Sequence, residues 1–339
     1  MTKRLPLATI LGVFVLLVLG GNTVLAGPPP AYFVDESKLP FDALPGTSTT
    51  RYWGVHGGAG YRIEVPDNWN GELVLYAHGF RGDNELFDYF LDFNLVAQAL
   101  AGVQAQFPFP ADYQTAVVPG VKAALGTPYP LALNAQGVKL RGVTQNISGG
   151  PRPAFATSFV FWGNFLFTVG VTGGDIGVAP GNVQDNSDTV YQIDSDPAPS
   201  ADEIALNAAV LRVRQDPQGR HPNGLANIPP ISGRLPIPVL SLHTIGDLFV
   251  PFSMEQIYAR RAAAEGASGL LVTRAFRDHA HCGFDVLEEE AAFADLVNWV
   301  VNGVKPAGDD ILNPAAVADP KFGCLFSVPG HAGFPACTP

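Results

Sequence analysis

Residues 238–247, PVLSLHTIGD, are mostly apolar and read as one continuous strand instead of a strict alternation. A strand with one wet face alternates, so this run suits a sheet covered on both faces, the setting of parallel strands. The flanking chain fits that demand. Ser200 with Glu203 reads as a capping box ahead of a helix ending near Gln215, and Ser253 with Gln256 as a second box opening the helix SMEQIYARRAAAEG. GLLVTRAF (269–276) is the next strand, and 286–302 a last helix, capped by Asp285 with Glu288 and stopped by Gly303. Strand, helix, strand, helix with short joints predicts a right-handed parallel βαβα unit within residues 200–303.

Upstream, residues 61–65 and 73–77 are strand-like and flank the turn-rich PDNWNG (66–71), which predicts an antiparallel hairpin between those two runs. His56, in VHGGAG, precedes this hairpin and reads as a turn. Residues 84–102 have helical spacing, with apolar positions at Leu86, Phe87, Phe90, Leu91, Leu95 and Val96. From about 103 to 199 the chain is dense in Pro, Gly and Asn, with breaks at SGGPRP (148–153) and GVTGGDIG (170–177), and reads as long loops of the kind that form lids. The fold class these signals support is α/β.

The chain has 339 residues and begins with a basic pair, Lys3 and Arg4, an apolar run, and small residues at Val24 and Ala26, the layout of a secretory signal cleaved after Ala26. The apolar run is short for a bilayer span. Loss of those two cations takes the net charge from −11 to −13. With no Lys/Arg cluster, nucleic acid and anionic membrane are excluded as expected partners. Three cysteines in an exported chain suggest one disulfide, with Cys324 and Cys337 the nearer pair, and Cys282 as a buried small hydrophobe. The scattered histidines have no carboxylate or thiol at ligand spacing, so no metal or cofactor is expected.

Asp247 falls at the end of the first C-terminal strand, and His279 and His281 fall just past the next. An acid after one strand and a His after the following one is the order in which the second and third members of a hydrolase triad occur, the acid orienting the imidazole that takes a proton. PVLSLHTIGDLFVPF with HAHCGF, together with RIEVPDNWNGELVLYAHGF, SGGPRP, TVYQIDSDP and DPKFGCLF, resembles secreted bacterial α/β-hydrolases of the serine esterase or amidase kind. The resemblance spans most of the chain after the signal. It implies Asp247 as acid, His281 rather than His279 as base, and an oxyanion loop at His78, Gly79 and Phe80. It also implies one domain over 27–339, with a mostly parallel sheet, a lid at about 84–199, the acid and base in 200–303, and a tail at 304–339. Cleavage of small-molecule esters or amides is the activity expected of that family.

Such enzymes carry their nucleophile on a strand-turn-helix written G-x-S-x-G, after the oxyanion loop and before the acid. No Ser or Cys here sits in that frame. Ser268 comes after Asp247, Ser148 has Asn146 where a glycine belongs, and Thr172 in GVTGG is followed by Gly and Pro where a helix should run; a further reading keeps Ser148, Thr172 or Cys282 as an unorthodox nucleophile that would have to reach His281. Spacing agrees, since the missing strands and helices need on the order of 60–100 residues, whereas the lid-like NELFDY follows AHGFRG almost at once. The expectation is that the central strands and the elbow have been lost near residues 81–83. The chain then keeps acid and base without a nucleophile, and a non-catalytic secreted binding protein is the alternative. Phe87, Phe90, Phe93, Phe159, Phe161, Trp162 and Phe165 read as core packing first and as an apolar or aromatic substrate surface second.

Overall fold

A computed structural model describes residues 34–56, 59–71, 84–153, 155–168, 184–216, 231–329, 331, 333–334 and 337, with residues 59 and 84–88 by backbone alone. The chain divides into two units, Met1–Tyr76 and Ala77–Pro339. The candidate signal and the run 73–77 lie outside the described residues.

In the first unit β1 (Thr49–His56) pairs antiparallel with β2 (Ala59–Pro66), from Thr49 opposite Pro66 to His56 opposite Ala59. The expected partner of 61–65, the run 73–77, is outside the described set, whereas the turn expected at His56 is corrected to strand. The run 61–65 pairs with the chain before it, and His56 is a strand residue. Polar anchors fix the ribbon: the Glu64 carboxylate accepts from Thr49 Oγ1 at 2.6 Å and from the Leu44 amide at 3.0 Å. The sequence hides this strand because TTRYWGVH has no clean alternation.

In the second unit, helices dominate the N-terminal half. α1 (Asn84–Leu100) is buried at every position from Tyr89 to Gln98, polar ones included. A helix buried all round must satisfy its polar side chains internally. Asn94 donates to the carbonyls of Phe90 and Leu166 and accepts from Tyr113 Oη at 2.8 Å, and Tyr191 Oη donates to Asp92 at 2.5 Å. Around it lie a π-helical turn (Tyr113–Val117) running into α2 (Val118–Leu125), then α3 (Ala135–Ile147) and α4 (Phe155–Trp162). These helices fall where the sequence reads as loops. The glycines responsible for that reading serve contact instead of flexibility: side chains at Gly137 and Gly142 in α3 would collide with the carbonyls of Leu125 and Ile193.

The C-terminal half holds α5 (Ala201–Ala209), β3 (Val239–Thr244), α6 (Ser253–Ala264), β4 (Leu271–Phe276), α7 (Val286–Asn302) and the short α8 (Pro314–Val317). β3 and β4 are parallel, in register from Val239 opposite Leu271 to Thr244 opposite Phe276. The chain is therefore a mixed helix and strand protein, with one antiparallel and one parallel pair among the described residues. β4 is fully buried, and its far edge is covered by Asp309, whose amide donates to Thr273 O and whose carboxylate accepts from the Ala275 amide. β3 is only half-buried, and among the described residues no strand pairs with its other edge.

The caps divide by their surroundings. The Ser200–Glu203 and Asp285–Glu288 boxes form, and Gly303 ends α7 at φ 72°. The first of these helices stops at Ala209, well short of Gln215, because Val210 turns extended. The Ser253–Gln256 box does not form: Ser253 is already helical, its amide donates to Ser148 O, and Gln256 Nε2 bonds Gly149 O and Ile311 O. Tertiary partners took the groups that a local cap uses.

One side chain ties the helical half to the strands. Arg152, in the SGGPRP link between α3 and α4, is buried, and its guanidinium donates to the carbonyls of Ile245, Gly150 and Gln145 and to Ser148 Oγ. It lies 4.7 Å over the Phe155 ring. Burial pushes its pKa down to about 10, so the group stays charged at neutral pH. Arg152→Met should lower stability by roughly 2–4 kcal/mol, because several buried acceptors lose their donor at once. A urea titration of both proteins measures this.

Candidate active site

Asp247 is reached through a tight passage at the end of β3. The Ile245 amide donates to Phe276 O and the Gly246 amide to Asp278 O, which stitches the end of β3 to the end of β4. Gly246 is required there, since a side chain would strike Ser158 Oγ and the Asp278 carbonyl. The Asp247 carboxylate is buried, and its Oδ1 accepts from the amides of Phe249 at 2.7 Å and Val250 at 3.2 Å. Its Oδ2 meets His281 Nδ1 at 2.7 Å.

That contact assigns the tautomer. An ionised carboxylate only accepts, so Nδ1 carries the proton and the neutral ring leaves its lone pair on Nε2. Among the described residues nothing hydrogen-bonds Nε2, and the side chain is 36% exposed. The bond from Asp247 raises the His281 pKa, outweighing the opposing effect of burial. The ring is flanked by Phe249, its centroid 4.8 Å away. Phe249 in turn packs on Phe165 and Trp162.

His279 does not bond Asp247. It sits between Phe161 and Phe334, with its Nδ1 buried and without a hydrogen-bond partner. Of the two histidines, His281 is the one placed on the acid.

His78, Gly79, Phe80 and Thr172 lie outside the described residues. Ser148 is buried, donates to Gln145 O and accepts from Arg152, and makes no bond to His281, so as a candidate nucleophile it is corrected to a structural acceptor. Cys282 is also corrected. It is exposed, not buried, and has φ 58°, a conformation uncommon outside glycine. Desolvation, with the charges of Asp247 and Glu289, pushes its thiol pKa up, which disfavours the thiolate a nucleophile needs. Of the seven aromatics read from the sequence, Phe90, Phe93 and Phe159 are core, while Phe161 is half-exposed and Trp162 and Phe165 are partly buried. The side chain of Phe87 is outside the described set.

Sequence reasoning missed Phe249 and Arg152. An aromatic two residues past an acid and an arginine between two prolines fit no motif, and only their contacts give them a role. Cys324 and Cys337 are joined, closing a loop of the tail. Among the described residues no group of His, Cys, Asp and Glu is arranged to hold a metal, and no helix is long and apolar enough to cross a membrane. Compared with known protein families, characterised proteins and solved structures, the chain matches none.

The effect of Asp247 on His281 is measurable. In Asp247→Asn the neutral amide no longer favours imidazolium, so the His281 titration should move to lower pH than in the unaltered protein. Proton NMR of the His281 ring across pH 5–9, roughly two units either side of an ordinary histidine, reads the shift. An unmoved midpoint would disprove the coupling.

Proposed function

We propose that Asp247 and His281 are the acid and base of an exported hydrolase of small-molecule esters or amides, built on an α/β-hydrolase framework from which the nucleophile-bearing centre is missing. The observation that carries this is the 2.7 Å bond between Asp247 and His281 Nδ1, from the ends of two adjacent parallel strands, with Nε2 left open. In the full mechanism Nε2 takes the proton of a hydroxyl as it attacks the acyl carbon, Asp247 stabilises the imidazolium, and the proton passes to the leaving group. Backbone amides at His78–Phe80 are the proposed oxyanion donors, residues 84–199 the lid, and cleavage after Ala26 the route of export. No nucleic acid or membrane partner belongs to this reading, and no cofactor.

In keeping with this reading, no strand among the described residues pairs with the second edge of β3, the side on which the missing central strands would lie. On the reading that the nucleophile is missing, His281 activates water, and turnover should be slow. The open Nε2 equally favours a second reading, a secreted binding protein that keeps the pocket.

Two measurements on the purified chain separate these. A fluorophosphonate probe should leave the protein unlabelled, and labelling of any Ser or Thr would overturn the missing nucleophile. Hydrolysis of p-nitrophenyl acetate should be weak and should fall by about 10²-fold or to background in His281→Ala, the lower end of what a general base contributes. Because the base works unprotonated, the rate should climb as pH rises through the raised His281 pKa. Ligand binding without any His281-dependent hydrolysis would favour the binding protein.

A further inference from the structure

Past Asp319 the tail turns back onto the segment that presents His281. Arg277 fastens its first part, donating to the carbonyls of Phe322 and Pro320, while the Arg277 amide donates to Ser327 Oγ at 2.9 Å. The Val328 amide then donates to Glu288 Oε1 at 2.8 Å. His331 follows, within the loop closed by Cys324 and Cys337. Its Nδ1 lies 2.9 Å from Asp278 Oδ2 and its Nε2 lies 2.7 Å from Glu288 Oε1. Phe334, further along, stacks on the His279 ring.

Both carboxylates already hold the site's frame. Asp278 Oδ1 accepts from the Ala280 amide at 2.6 Å, and the Asp278 carbonyl accepts from the Gly246 amide beside Asp247. Glu288 Oε2 accepts from the Asp285 amide and so caps α7. The turn carrying His281 therefore runs between two carboxylates that a single imidazole bridges. A carboxylate at each nitrogen matches only the ring with two N–H donors, because the neutral ring has one N–H and would set a lone pair against the other carboxylate. Burial of His331 opposes that charge, and Glu288 and Asp278 override it, so the pKa is raised. The charged and titratable groups facing the ring are Asp278 from the β4–α7 turn and Glu288 from α7. His279 lies behind Asp278 at 4.0 Å.

We propose that His331 is a positioning residue for His281: as imidazolium it clips the disulfide-closed tail to Asp278 and Glu288 and thereby fixes the turn from Asp278 to Gly283. The role at the active site rests on reading His281 as the base, whereas the clip itself does not. Stability from the clip is fully present below the ordinary histidine pKa and is lost as pH rises through the raised value in the folded protein.

Amide exchange and histidine ring NMR on the full chain test this. In the unaltered protein, protection of the Ala280 and Gly283 amides, taken relative to amides in the middle of α7, should fall by about tenfold as His331 loses its proton, the effect of losing one charged hydrogen bond. His331→Gln, neutral at all pH, should show the lower protection throughout, no pH step, and a displaced His281 titration. His331→Lys, which restores a cation with several donors, should recover part of the protection. Unchanged turn protection and an unchanged His281 titration in His331→Gln would overturn the proposal. Persistence of the pH step in a protein with no His281-dependent hydrolysis would leave the clip standing and defeat the hydrolase reading instead.

Discussion

Arg152 brings a full positive charge into the interior where, among the described residues, no carboxylate pairs with it, and everything around it is arranged to make that tolerable. Its donors reach the carbonyls of Ile245, Gly150 and Gln145 and the hydroxyl of Ser148, and aromatic rings of Phe155 and Phe252 lie against the guanidinium. A buried cation left without those partners costs several kcal/mol, so the arrangement is close to all or nothing. Ile245 is the first residue past β3, where the passage to Asp247 begins. The helical half is thus fastened to the strand half within two residues of the candidate acid, and the position of Asp247 depends on a contact from a segment almost a hundred residues away.

From there the site is assembled by short-range consequences. Gly246 permits the close pass by Ser158 and Asp278, Asp247 is held by two backbone amides, and the carboxylate fixes the ring of His281. Such preorganisation is what general base chemistry uses, and it exists here with an open Nε2. An orienting carboxylate and a half-exposed imidazole have little structural value that a simpler loop would not supply.

The parts of this arrangement that were legible in the sequence are those set by near neighbours. The Asp285–Glu288 box, the glycine that ends α7, and the two apolar strands depend on residues within a few positions of each other, and the chain forms them at the expected places. Where a long-range partner competed, the reading failed. Ser253 gave its amide to Ser148, and the stretch before residue 148, read as loop, formed helices in which Gly137 and Gly142 pass close to the carbonyls of Leu125 and Ile193. Cys282 is an instance of the same limit, since composition favours burial for cysteine but the turn leaves it in water.

By itself the sequence determined the local chemistry: which residues could serve as acid and base, the strand order that brings them to neighbouring positions, the acidic balance, and the lack of a nucleophile in the expected frame. Only the tertiary structure decided that His281 and not His279 meets Asp247, that Ser148 serves Arg152, and that His331 from the tail bridges Asp278 and Glu288. The physical reason is range. Caps and periodicity act over a few residues, where sequence neighbours are spatial neighbours, whereas hydrogen bonds between buried charged groups join residues from distant segments, and which ones meet is settled by packing.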